Sequence, residues 1–204
     1  MEHSLEHSGN RRVAQISRVT RETTISLALD LDGGGRAIRV KTGIGFLDHM
    51  LSSLALHSGF DLDLACEGDL HVDDHHTAED CAIALGQALD RALGTREGIV
   101  RFGSCYAPLD EALARSVVDL VTRPHCSVDL GLRRESLGGL SCENVPHVFV
   151  SLAMNARLTL HVDVLKGEND HHRAEAAFKS LALALRQAVS PRAGGVLAST
   201  KGVI

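Results

Sequence analysis

Asp74-His75-His76-Thr77-Ala78-Glu79 and Asp170-His171-His172-Arg173-Ala174-Glu175 are two copies of one pattern, and they decide how the chain is organised. Asp, both His, Ala and Glu coincide. The same offset carries Leu85 onto Leu181, Ala88 onto Ala184, Leu89 onto Leu185 and Ala92 onto Ala188. Upstream, with a slightly longer offset, His49-Met50-Leu51-Ser52-Ser53-Leu54-Ala55 faces His147-Val148-Phe149-Val150-Ser151-Leu152-Ala153. Two unrelated amphipathic helices would share the Leu and Ala matches through composition alone, but not the Asp, His and Glu. The chain is an internal duplication.

Working outward, each half carries strands and helices in a similar order. Thr23 to Leu31 alternates apolar and polar, Asp32-Gly33-Gly34-Gly35 turns, and Ala37 to Lys41 returns, which predicts a hairpin. Gly45 to His57 has helical apolar spacing, Asp61 to Cys66 alternates as a strand, and Thr77 to Leu93 is helical with Gly94 as its stop. In the second half, Ala114 to Val121 and His125 to Leu132 are strand-like and Ser136 to Leu140 is a connection. Val148 to Ala156 is helical, Leu158 to Val164 is a strand, and Ala174 to Val189 is a helix ended by Pro191. The fold class is α+β: two β-sheets, each with paired helices on one face, the helices packed between the sheets. A polar tail over 1–10, a first half over 11–98 and a second half over 99–204 would form one compact catalytic unit.

Residues three and four apart share a helix face, so His76 with Glu79, and His172 with Glu175, can grip one ion each. Adjacent histidines lie about 100° apart around a helix, so His75 and His171 should reach a different ion. Because the chain is duplicated, that ion is the one built by the other half. Two symmetric sets follow: His49, His76, Glu79 and His171; and His147, His172, Glu175 and His75. Imidazoles with one carboxylate suit Mn, Fe, Co, Ni or Zn and disfavour Mg or Ca. Asp74 and Asp170, beside the pairs, are expected to orient them.

With 204 residues, 44% hydrophobic, the chain can bury a core. A net charge of −5 and 3% aromatics argue against nucleic acid as partner. No apolar run approaches the ~18 residues that span a bilayer, so no membrane role is expected. Five scattered cysteines without a C-x-x-C pair read as reduced thiols in a cytoplasmic protein.

Gly45-Phe46-Leu47-Asp48-His49-Met50-Leu51, the run Leu70 to Asp80, the run Asn169 to Lys179, and Ser199-Thr200-Lys201-Gly202-Val203 together resemble the imidazoleglycerol-phosphate dehydratase family of histidine biosynthesis. The likeness runs from about Arg18 to the C-terminus. It implies the layout of domain 2 of ribosomal protein S5, two Mn(II) ions per active site, and a homo-oligomer of 24 subunits with sites where subunits meet. The implied reaction removes water from imidazole glycerol phosphate to give imidazole acetol phosphate. It implies catalytic roles for Glu22, His49, His76, Glu79, His171 and Glu175. Glu22, Arg101, Arg123, Ser199 and Lys201 would contact the phosphate-bearing substrate. The competing classes are a dinuclear hydrolase and a metal-storage protein. The first lacks bridging aspartates, and the second leaves Glu22, Arg101, Arg123 and Lys201 without a task.

Overall fold

The computed structural model describes residues 11–192 and 199. The first repeat runs β1 (Val13–Val19), β2 (Thr23–Asp30), β3 (Ile38–Lys41), α1 (Gly45–Ser58), β4 (Asp61–Gly68) and α2 (His75–Leu93). The second runs β5 (Phe102–Leu109), β6 (Ala112–Asp119), β7 (His125–Asp129), a small hairpin of β8 (Ser136–Leu137) and β9 (Leu140–Ser141), α3 (Asn144–Asn155), β10 (Thr159–Lys166) and α4 (Asp170–Val189).

Each repeat makes a four-stranded sheet, in the orders β1-β2-β4-β3 and β5-β6-β10-β7. The registers repeat as well. Val13↔Asp30 and Asp30↔Asp61 in one sheet stand where Phe102↔Asp119 and Asp119↔Thr159 stand in the other. Side chains alternate across a strand, so one face of each sheet is apolar: Ile16, Ile25, Leu27, Leu29, Leu62 and Leu64 in the first, Ala114, Val118, Leu160 and Val162 in the second. The helices cover those faces. α1 lies on β3 and β4, α2 on β1, β2 and β4, α3 on β7, and α4 on β5, β6 and β10. Across the middle, α1 packs on α4 and α2 packs on α3. Both faces of these helices are therefore used, which explains why α2 buries Thr77, Ala78, Cys81, Ala82, Ala84, Leu85, Ala88 and Leu89 nearly all round. Small residues let the helices approach: a Cβ on Gly86 would come within 2.6 Å of the Leu152 carbonyl oxygen in α3.

Two sequence expectations change. β2 and β3 are not a hairpin. β4 inserts between them, antiparallel to β2 and parallel to β3, with Ile38 opposite Leu62. The glycine turn is real, with Gly34 and Gly35 at φ 85 and 69, but it serves a crossing to the far edge of β4. The Gly34 amide donates to the Gly59 carbonyl there, and Arg36 and Ala37 amides to the Asp61 carboxylate. The hairpins are instead β1–β2 and β5–β6, whose first strands carry a weak apolar signal. The inward positions of β5 include Gly103 and Ala107, kept small because α4 lies directly on them: a Cβ at Gly103 would strike the Ala184 carbonyl. Among the described residues, no helix is long and apolar enough to cross a membrane.

Candidate metal centres

At the start of α2, His75 and Glu79 stand four residues apart on the face turned toward α3. The α3 residue His147 meets them, its Nε2 3.1 Å from Glu79 Oε1. His75 Nε2 lies 4.0 Å from Glu79 Oε2, and the rings of His75 and His147 stack with centroids 5.0 Å apart. The second cluster repeats this on α4 and α1: His171 Nε2 and His49 Nε2 are each 3.2 Å from Glu175 Oε2. In both trios one ligand atom of each residue lies within 4.8 Å of the others.

Every trio thus straddles the duplication, taking His and Glu from one half and a single His from the other. His75 meets His147 and His171 meets His49, as the sequence led one to expect. The glutamates differ from the sets drawn above. Glu79 sits with His75 and Glu175 with His171, while His76 and His172 leave both trios. The i, i+4 and i, i+3 spacings both satisfy a helix face. Packing chooses between them: α2 turns His75 toward α3 and α4 turns His171 toward α1, so the next residue in each points away.

His76 faces the β1–β2 turn, where Glu22 Oε1 is 3.7 Å from its Nε2. Its Nδ1 is 3.0 Å from Asp69 Oδ2, and that hydrogen bond holds the ring's pKa above the usual histidine value. His172 Nδ1 is 2.7 Å from Glu111 Oε2 in the β5–β6 turn. That bond raises His172, and with the amides of Asn169 and Glu168 it draws Glu111 down to about 2. In both cases a carboxylate fixes Nδ1 and leaves Nε2 as the ligand atom.

Among the described residues Asp74 and Asp170 do not bond the paired histidines directly, and Asp74 reaches His75 only through Asn144. Asp74 accepts the Ser141 amide (2.6 Å) and hydroxyl (2.8 Å), and Asp170 accepts the amides of Arg133 and Arg134, both at 2.7 Å. Both carboxylates fasten second-repeat loops to helix starts. The sequence reading also missed Asn144, whose Oδ1 is 2.9 Å from His75 Nδ1, and Lys179, whose Nζ is 2.7 Å from Glu175 Oε1. Asn144 had a signal, since it precedes His147 by one helix turn. Burial works against ionisation of Glu175, but Lys179 and then His49 hold its pKa below the usual value.

Arg101 and Arg123, two of the residues assigned to phosphate, lie away from the trios. Arg101, at φ 78, makes a two-point contact with Asp119 (2.7 and 3.0 Å), and its amide donates to the Ala188 carbonyl. Ala188 is in the last turn of α4 and His171 in the first, about 25 Å away at 1.5 Å per residue. Arg123 is exposed in the turn before β7, near the C-terminal end of α3. Ser199 is half-buried, and Lys201 lies outside the described residues. His57 is half-buried; burial pushes its pKa down, and Lys179 adds to this. His161 is exposed beside His125, and His71 is exposed too.

Two imidazole nitrogens and one carboxylate, all within 4.8 Å of one another, form a donor set that suits a borderline divalent ion. The trios fit such an ion on their own chemistry.

Residues 42–185 match the family model described as imidazoleglycerol-phosphate dehydratase. Imidazoleglycerol-phosphate dehydratase of Candida glabrata is 55% identical over 94% of this chain and all of that protein. The Saccharomyces cerevisiae protein of the same name is 52% identical over 94% of this chain and 97% of its own length. The crystal structure of the Staphylococcus aureus enzyme superposes with a TM-score of 0.79 at 37% identity, covering 88% of this chain and 99% of that one. The Pyrococcus furiosus enzyme gives 0.79 at 36%, covering 93% and 100%. Duplicated sheets, straddling His and Glu trios and near full-length likeness agree: the chain belongs to the imidazoleglycerol-phosphate dehydratase family and is a hydro-lyase.

Proposed function

We propose that this protein dehydrates D-erythro-imidazole glycerol phosphate to imidazole acetol phosphate, using two Mn(II) ions per active site, as a step of histidine biosynthesis in the cytoplasm. The observation that carries this reading is the pair of trios, His75–Glu79–His147 and His49–His171–Glu175, at equivalent positions of the two repeats. When bound, such ions act as Lewis acids toward the imidazole ring of the substrate, which must take up charge as the hydroxyl leaves.

The chain's own residues do the rest. The trios hold two ions, and His76 and His172 offer Nε2 outward as further ligands, each steadied through Nδ1. Glu22, half-exposed and 3.7 Å from His76 Nε2, is suited to move the weakly acidic proton on carbon. Arg101, Arg123, Ser199 and Lys201 take the phosphate. Within one chain Arg101 does not reach the His171 trio, because its backbone is tied to the far end of α4 from His171. Phosphate residues and outward histidines therefore serve the trios of neighbouring copies, in an assembly of 24 subunits. No nucleic acid or membrane is part of this reading.

The test is to give the Mn-loaded protein imidazole glycerol phosphate and follow the enolisable ketone. Absence of product with metal bound overturns the proposal, and release of inorganic phosphate favours a hydrolase. His76→Ala is expected to lose metal and assembly together. Unchanged metal content and particle mass would remove His76 from the ligand set.

A further inference from the structure

The two trios are built alike but supported differently. His75 Nδ1 lies 2.9 Å from Asn144 Oδ1, at the first residue of α3. Asn144 is 3% exposed. On its other side is Asp74, which takes a side-chain hydrogen bond from Asn144 and accepts the Ser141 amide at 2.6 Å and hydroxyl at 2.8 Å. A carboxylate only accepts, so the Asn144 amide group must face Asp74 and its oxygen must face His75. That oxygen in turn can only accept, so His75 carries its proton on Nδ1 and leaves the Nε2 lone pair toward Glu79 and His147. In the other repeat, the position equivalent to Asn144 is Phe46. It meets His171 only as an edge-on ring contact, with centroids 5.1 Å apart, and offers no hydrogen bond.

We propose that Asn144, itself oriented by Asp74, is a positioning residue that locks His75 in the tautomer presenting Nε2 to a divalent ion. The inference rests on reading the trios as ion sites. The His49–His171–Glu175 centre is its internal control, since among the described residues no carboxamide meets His171 there.

The experiment uses the assembled protein. Crystals of wild type, Asn144→Leu and Asn144→Asp are equilibrated at graded free Mn(II), and the occupancy of each centre is read from anomalous scattering. Asn144→Leu should need about 10–100-fold more Mn(II) to half-fill the His75–Glu79–His147 centre, while the other centre shifts by less than about threefold. Asn144→Asp keeps an oxygen on His75 Nδ1 but sets it against the Asp74 carboxylate, so its loss at the His75 centre should fall between wild type and Asn144→Leu. If Asn144→Leu does not fold, Asn144→Ala removes the same hydrogen bond with a smaller change of shape. Equal loss at both centres, no loss in the apolar variant, or Asn144→Asp falling as far as Asn144→Leu would overturn the proposal. Wild-type centres that stay empty at saturating Mn(II) would instead overturn the ion reading beneath it.

Discussion

Glu22 and Glu111 occupy the same place in the two repeats, each in the turn joining the first two strands, and each faces the outward histidine of its half. They are not in the same state. Glu111 is bound on both oxygens: Oε2 to His172, and Oε1 to the amides of Glu168 (3.1 Å) and Asn169 (2.9 Å). Glu22 stands off at 3.7 Å. The difference traces to one substitution between the repeats. Asp69 occupies Nδ1 of His76, whereas the position equivalent to Asp69 is Gly167, so the second half recruits Glu111 for that task. The turn carrying Glu22 is then anchored through its neighbours. Asp80 accepts the Thr23 hydroxyl (2.5 Å) and the Arg18 guanidinium (2.7 Å), while the equivalents of Asp80, Thr23 and Arg18 are Ala176, Ala112 and Ala107. Duplication copied the backbone and the inner ligands. The carboxylates around them diverged, leaving Glu22 standing off its histidine and Glu111 held on both oxygens.

The largest test of that contrast is a pair of amide substitutions. Glu22→Gln should lower kcat by about 10²–10⁴-fold, with metal content and particle mass unchanged, because a positioned acid-base group is lost. Glu111→Gln should cost about tenfold, and chiefly through metal affinity, because it only steadies a ring. Turnover at saturating metal separates the two. Equal losses there would erase the division of labour.

A second contrast lies just beyond the two long helices. Arg96 follows α2, and its repeat-equivalent Arg192 follows α4. Arg192 is exposed. Arg96 is 2% exposed and donates to the carbonyls of Val121 (2.8 Å), Arg157 (2.8 Å) and Ala156 (2.7 Å) and to Asp90 (2.5 Å). It ties the end of α2 to the end of α3, the pair that builds the His75 centre. Burial lowers its pKa and Asp90 opposes that shift. Arg96→Met should destabilise by about 3–5 kcal/mol in denaturant unfolding, since it strands several buried acceptors and Asp90. Arg192→Ala should stay within about 0.5 kcal/mol.

The helix pairs themselves give a smaller effect. Gly86 is the close point of α2 and α3, whereas the equivalent of α4 is Ala182, where a methyl is accommodated. Gly86→Ala should cost about 1–3 kcal/mol and weaken metal at the His75 centre more than at the His49 centre. Uniform weakening would mean that the shift at α2 and α3 spreads to α1 and α4 as well.

The duplication, the helices and the approach of His75 to His147 and of His49 to His171 were legible because they rest on spacing, which a sequence records directly. His75 with His147 follows from two helices that must meet across the repeat. The choice between His75 and His76 as partner of Glu79 was not legible, since both spacings satisfy a helix face and only packing against α3 decides. β1 and β5 were hidden for a related reason. Their inward residues are small where helices press close, as at Gly103, so alternation carries little hydrophobic contrast. Asn144 and Asp69 act on histidines brought near by the fold; Asn144 is marked only by standing one helix turn before His147, and nothing local marks Asp69.

The smallest effect isolates how firmly Glu111 is held. Its carboxyl sits at about 2 rather than its ordinary 4.5, first through His172 and then through the amides of Asn169 and Glu168. A depressed folded value means that the ionised group stabilises the native state fully above its ordinary value, and that this is lost as pH falls toward 2. In metal-free protein, the stability gap between wild type and Glu111→Gln should therefore be widest between about pH 4.5 and 6.5, closing on acidification and narrowing again at higher pH as His172 loses its proton. The gap should stay well below that of Arg96→Met, because solvent screens an exposed pair. His172→Ala should remove most of the same pH dependence, as its ring is the main cause. A gap that widens toward low pH would show that Glu111 is not the fixed member of the two glutamates.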